Sequence, residues 1–281
     1  KYLKFLLKIE SIQKNQTKKS NQKMNQLDSL KQRNLKLLFT LIAIPFLAIV
    51  TLEAQGTRLL RQPDISSSHI TYVYGGDIWM SHINGGEAKR ITSTQAVESN
   101  PYFSPDGNWI AFSSNRTGYQ SVFVVPAEGG EAKQITWHPS GSLVRGWSND
   151  GSRILYASNR DTAPSPYNRL WTTGVTENIP SLVHPQWGFD GAFAPDGEHL
   201  IIDRVSRWDS EWRGYRGGQN TPLIILNTST SKEELLPNES ATDIQPLWLG
   251  DVVYFISDRD LVSNIWSYNT KTKELQQITE F

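Results

Sequence analysis

Seven cationic or aromatic side chains crowd one short stretch of this 281-residue chain: Arg204, Arg207, Trp208, Trp212, Arg213, Tyr215 and Arg216. A guanidinium presents a planar fork of donors that matches a carboxylate. An indole or phenol adds a flat apolar face with a polar edge. Together these groups suit a peptide, through its carboxylates, its carbonyls and its apolar side chains. Arg207, Trp208, Trp212, Arg213, Tyr215 and Arg216 are therefore the candidate peptide- or partner-binding residues. The plainer alternative is that the stretch packs across its own domain or against another one. Nucleic acid is the wrong ligand: Asp203, Asp209 and Glu211 interrupt the cations, and the chain balances 28 Lys and Arg against 28 Asp and Glu.

Elsewhere no catalytic constellation is legible. Gly146-Trp-Ser-Asn-Asp150 begins like a nucleophile elbow but ends in Asp, and no zinc-protease, P-loop or dinucleotide glycine motif occurs. The histidines (His69, His82, His138, His184 and His199) are scattered without ligand spacing, and cysteine is absent. No metal and no cofactor are expected. The carboxylates of Asp106-Gly107, Asp150-Gly151 and Asp196-Gly197 sit in turn dipeptides, which makes them structural. Asn115-Arg116, Asn159-Arg160 and Asp258-Arg259 recur in the same phase. A residue pair repeated in that way reads as a device of the fold.

The elements that must carry these residues come from a repeated phrase. Phe103-Ser-Pro-Asp-Gly107 leads into Ile110-Ala-Phe112, Ser114-Asn-Arg116 and Val122-Phe-Val124. It returns at Trp147-Ser-Asn-Asp-Gly151, at Phe193-Ala-Pro-Asp-Gly197 and at Trp248-Leu-Gly-Asp251, with an upstream copy from Ile70. Each copy reads as four short antiparallel strands, with a two-residue Asp-Gly turn between the first two. Inner strands that are apolar on both faces need a similar sheet on either side. That requirement predicts an all-β fold, a β-propeller of the six-bladed type, with about five four-stranded blades present from Ile65 to Thr279. Trp79, Phe123, Trp171 and Trp266 hold equivalent places and should pack between blades. The cation-rich stretch, between Asp203 and Thr221, lengthens the fourth copy and is expected to project as a loop. Five blades fall short of a usual ring, so the propeller is expected to be truncated, with at least one further blade beyond this sequence.

Residues 1–54 have a different character. Lys/Gln/Asn-rich sequence, expected to be disordered, precedes a cationic flank (Lys31, Arg33, Lys36) and an apolar run from Leu37 to Leu52. A small residue, Ala54, follows. This pattern reads as a secretory signal peptide cleaved after Ala54, with Met24 a plausible start; the alternative is an uncleaved anchor over 37–52. Either sends residues 57–281 out of the cytoplasm, and a periplasmic location is expected.

The repeats resemble those of TolB-type propellers, and their succession is similar to the N-terminal propeller of tricorn-type proteases. The resemblance rests on Arg61-Gln-Pro-Asp-Ile65 before the first blade, Gly76-Asp-Ile-Trp79 and Gly85-Gly-Glu-Ala-Lys-Arg-Ile-Thr92. Val125-Pro-Ala-Glu-Gly-Gly-Glu131, Pro164-Ser-Pro-Tyr-Asn-Arg169, Tyr254-Phe-Ile-Ser-Asp-Arg259 and the closing Tyr215-Arg-Gly-Gly218 of the fourth-copy insertion add to it. It spans about Thr57 to Phe281. It implies a large serine peptidase of the tail-specific class, in which this portion is non-catalytic and channels or gates peptides toward a catalytic domain further along. No position here matches the family's catalytic motif, so no catalytic residue is carried over. Expected partners are peptides or polypeptide substrates, the C-terminal domains of the same protein and, as in an assembly, further copies of the chain. Family members in the cytosol keep a cytoplasmic location open. A periplasmic TolB-like scaffold and a prolyl-oligopeptidase-like hydrolase are the alternatives.

Overall fold

The computed structural model describes residues 59–164, 166–205 and 220–280, all within the compact unit Gly56–Phe281. The expected leader and anchor, residues 1–54, lie outside the described residues. Those described form five four-stranded antiparallel sheets in sequence order, and no helix occurs among them. The first blade comprises β1 (Arg61–Ile65), β2 (His69–Tyr74), β3 (Asp77–His82) and β4 (Lys89–Arg90); the second, β5 (Glu98–Phe103), β6 (Trp109–Ser114), β7 (Ser121–Pro126) and β8 (Lys133–Gln134). The third comprises β9 (Leu143–Trp147), β10 (Arg153–Ser158), β11 (Arg169–Gly174) and β12 (Pro180–Leu182). The fourth comprises β13 (Asp190–Phe193), β14 (His199–Asp203), β15 (Ile224–Asn227) and β16 (Glu233–Leu235); the fifth, β17 (Asp243–Leu249), β18 (Val252–Ser257), β19 (Asn264–Asn269) and β20 (Leu275–Gln277). This is a propeller of five blades set in a ring.

Two details differ from the sequence reading. Arg61–Ile65 is not a lead-in but the first strand of the first blade, paired antiparallel with β2. The Asp-Gly turns are also longer than two residues. Ser104 N–H donates to Trp109 O and Gly107 N–H to Ser104 O, so Pro105–Asn108 form the connection. Gly107 takes φ +74° there, which a side chain would resist. Ser104 Oγ donates to Asp106 Oδ1 and accepts from Trp109 N–H at 2.9 Å. The serine of the repeated phrase thus ties the turn to the strand it launches.

The second strand of each blade explains the stacking. Side chains alternate across a strand with period two, so consecutive residues serve opposite neighbours. In β10, Ile154 and Tyr156 pack with Ala111, Val122 and Val124 of the second blade. Leu155 and Ala157 pack instead with Leu200, Ile202 and Ile224 of the fourth. Ile201, between Leu200 and Ile202, faces Val253, Phe255 and Tyr268 of the fifth blade. Phe103, Ile110, Phe112 and Phe123 meet Val73, Ile78 and Met80 of the first. Among the described residues, then, an apolar seam lies between each consecutive pair of blades. Three of the four repeated aromatics pack as expected: Phe123 and Trp171 are buried in these seams, and Trp266 packs on the last one. Trp79 does not: it is half-buried outside the seams, edge-on to Tyr74 of its own blade. A buried phenylalanine such as Phe112 contributes about 2–3 kcal/mol.

Candidate functional site

Strands β1, β5, β9, β13 and β17 lie side by side from blade to blade and form the inner wall. All but β13 are interrupted by a bulge, seen as a register shift against the second strand. The bulges have a common sequence in three blades: Gln62-Pro63, Asn100-Pro101 and Gln245-Pro246. Gln62, Asn100 and Gln245 adopt φ of 52°, 54° and 52°, a left-handed conformation costly for residues other than glycine. The third blade bulges at Arg145-Gly146, with Gly146 at φ 147°. Sequence reasoning missed this feature, because a proline inside an apolar run argues against a strand. The signal that could have found it is the recurrence of an amide followed by proline near the start of three copies.

Bonds across the wall hold consecutive blades in register. Asn100 N–H donates to Gln62 Oε1 at 2.9 Å, and Phe103 N–H to Asp64 Oδ2 at 2.7 Å. Trp147 Nε1–H donates to Tyr102 O at 2.9 Å. Arg145 Nε–H donates to Phe189 O at 2.7 Å, while its guanidinium lies 4.1 Å from the Phe189 ring centre and 3.8 Å from Asp190. Burial raises the pKa of Asp190, with Arg145 opposing, and burial likewise raises Asp64 against the N–H groups of Phe103 and Ile65. Tyr102 is raised by burial and then by the charge of Asp190. The wall is therefore polar, with mixed charge and most of its donors engaged in linking blades.

The Arg of the Asn-Arg and Asp-Arg pairs is a clamp. In the second blade, Arg116 pairs with the buried Glu98, donates to Ser114 Oγ at 3.1 Å and lies over the rings of Phe112 and Phe123. In the fifth, Arg259 meets both oxygens of Asp243 at 3.0 and 3.1 Å, donates to Ser257 Oγ at 3.0 Å and lies over Phe255 and Trp266. Both clamps join the exit of the second strand to the start of the first, which is a structural role. The turn carboxylates are structural as well. A cleft of about 450 Å³ between the turns of the second and third blades is lined by Asp106, Trp109, Trp147 and Asp150. Its acids are already engaged: Ser104 and Asn108 hold the pKa of Asp106 down, and Ser148 and Ser152 hold that of Asp150 down to about 2. At Asp196, burial pushes upward, but hydrogen bonds from His199 and Glu198 prevail and lower it. Among the described residues no His, Cys, Asp or Glu group could hold a metal.

Arg207, Trp208, Trp212, Arg213, Tyr215 and Arg216 lie outside the described residues. The chain on either side places their insertion in the connection between β14 and β15, the same connection that carries Asn115-Arg116 in the second blade. At its base Asp203 is buried and accepts from Val205 N–H at 3.3 Å. Arg204 is half-buried, with Nε lacking a hydrogen-bond partner. At the far end Asn220 Nδ2–H donates to Ser240 O at 2.9 Å, fixing the return to the loop before the fifth blade.

Residues 57–281 match the tricorn protease N-terminal beta propeller domain family. The chain is 30% identical over 227 residues to tricorn protease homolog 1 of Streptomyces coelicolor, covering 78% of this chain and 21% of that protein. The crystal structure of the tricorn protease superposes with a TM-score of 0.68 at 26% identity, over 79% of this chain and 22% of that one. A TolB structure from Agrobacterium tumefaciens gives a TM-score of 0.65 at 17% identity, over 78% and 80% of the two chains, and shows the shared fold alone. The chain spans about a fifth of the length of the curated relatives it matches.

Proposed function

Since the chain belongs to the family of tricorn protease N-terminal β-propeller domains, we propose that it is the non-catalytic propeller of an exported tricorn-like serine protease. In this reading it channels or gates peptides toward a catalytic domain elsewhere in the same protein. The observation that carries it is the inner wall, where bulged first strands present Gln62, Asn100 and Gln245 in one shared conformation. Amides offer both donor and acceptor to any peptide backbone and favour no particular side chain. The cationic and aromatic insertion of the fourth blade, through Arg207, Trp208, Trp212, Arg213, Tyr215 and Arg216, is the proposed contact with peptide carboxylates and apolar side chains.

The test uses antibody to the propeller on fractionated cells of the source organism. The expected product is several times longer than 281 residues, lies in the exported fraction and, once captured, hydrolyses peptides in a manner blocked by serine-directed inhibitors. A product of about this chain's own length, with no peptidase activity, points to the TolB-like scaffold reading and overturns the proposal.

A further inference from the structure

The third blade repeats the clamp but lacks its acid. Arg160 stands where Arg116 and Arg259 stand: its N–H donates to Ser158 Oγ at 3.3 Å, as that of Arg116 does to Ser114 Oγ, and its guanidinium lies 4.8 Å from the Trp171 ring centre. In the second and fifth blades the buried carboxylate lies opposite the clamp serine, Glu98 across from Ser114 and Asp243 across from Ser257. In the third blade Leu143 pairs with Ala157, so one step further along that register Ser158 faces Ser142. Ser142 is buried and uncharged. The acid nearest Arg160 is its neighbour Asp161, 3.4 Å away and 59% exposed.

Three further replacements on the same face increase its polarity. Tyr156 takes the place of Phe112, Thr173 that of Val125 and Arg169 that of Ser121, each at the same register position of its blade. The Tyr156 and Thr173 side chains are fully buried; the Thr173 hydroxyl has no hydrogen-bond partner, while the Tyr156 hydroxyl lies beside the Arg160 guanidinium. An unsatisfied hydroxyl is costly to bury. Arg169 donates to the carbonyls of Arg160 and Asp161 at 3.0 Å each, and its Nε remains unpartnered. Tyr156 and Thr173, with Arg160 and Asn178, line a cavity of about 280 Å³ that is closed on its apolar side by Trp137 and Pro180. Burial raises the Tyr156 pKa and nearby Arg160 opposes it, so the hydroxyl is a neutral donor beside a cation at neutral pH.

We propose that this pocket, in the seam between the second and third blades, binds a carboxylate ligand with an apolar body. The ligand's carboxylate takes the role that Glu98 and Asp243 play in their own blades, with the two hydroxyls as further donors. Its apolar part lies against Trp137 and Pro180. The Arg160 guanidinium lines the cavity while its acid neighbour Asp161 is exposed to solvent, which favours an anion in the cavity over a neutral amide. The proposal does not depend on the peptide-channel reading. The carboxylate can belong to a free small acid or to the C-terminus of a peptide.

The whole chain is titrated calorimetrically with N-acetyl-leucine, its amide, and an N-acetylated tripeptide ending in leucine. Binding of the acid at least tenfold tighter than the amide is expected. A tripeptide tighter than the single residue identifies a peptide end as the source, and equal or weaker binding identifies free acids. Arg160→Gln should weaken acid binding at least tenfold. Ser142→Asp, which restores the carboxylate of the sister blades, should abolish binding and raise the melting temperature. If acid and amide bind alike, or neither binds, the pocket is a water site and the proposal is overturned. That comparison needs no variant, so it decides the matter even if Ser142→Asp does not fold.

Discussion

Arg259 shows how much one side chain can hold in a blade of this kind. Its guanidinium satisfies a carboxylate that is fully buried and a serine hydroxyl, and it covers two aromatic rings. Removing it strands Asp243 in the interior, and breaking a buried pair from one side costs about 3–5 kcal/mol. Arg259→Ala is therefore expected to lower the unfolding free energy by about 3 kcal/mol in urea titration, and Arg116→Ala by a similar amount. Arg160→Ala should cost clearly less, because no buried acid depends on it. Asp150 offers a pH-dependent counterpart. Ser148 and Ser152 donate to its ionised form and lower its pKa from 3.8 to about 2. A depressed carboxylate contributes stability above its unfolded value, and that contribution disappears as pH falls through about 2. Carboxyl-carbon NMR should find a midpoint near 2, moving up toward the ordinary range in Ser148→Ala. The recurrence of the Arg and Asp positions was legible in sequence, and so was their structural character. The partners were not: Glu98 and Asp243 share no local motif with their arginines, 18 and 16 residues away.

At the scale of the element, the second and third strands of each blade were the most legible part. β-branched and aromatic runs bounded by turn residues have no other reading. The outer strands were less so, with β4 and β8 only two residues each. The inner strands were least legible, because proline and left-handed backbone obscure them. β13 departs from its sisters in having no bulge, and Gly191 explains how it approaches β14 so closely. A β-carbon there would lie 2.4 Å from Ile201 O and 3.2 Å from Leu170 Cδ1. One contact is backbone, which cannot swing aside. Gly191→Ala should therefore destabilise the protein by about 2 kcal/mol or more, within the range for overpacking a tight site. An unchanged urea midpoint would show that the strands separate there at little cost.

For the molecule as a whole, stability passes between nearest neighbours, as in other arrays of stacked repeats. The second, third and fourth blades each contribute to two apolar seams, while the first and fifth contribute to one each among the described residues. Amide exchange should therefore be slowest in β6, β10 and β14 and faster in β2 and β18, with local opening beginning at the two terminal blades. Uniform protection across all five would show that the fifth and first blades are coupled as tightly as the rest. The repeat count and blade order followed from the sequence because each copy carries its own turn chemistry. The cavity at the third blade did not, since it arises from substitutions that matter only by comparison with the same register positions in neighbouring blades.

The prolines of the inner wall have one more consequence. A first strand is a sheet edge, and an unbroken edge offers N–H and C=O groups on which a passing polypeptide can pair as an added strand. Pro63, Pro101 and Pro246 each remove one donor, and the neighbouring bulge turns the backbone out of line. Such an edge cannot template a further strand. If peptides pass along this wall as proposed, they would meet separate amides in place of a continuous ladder and slide where a regular edge would hold them.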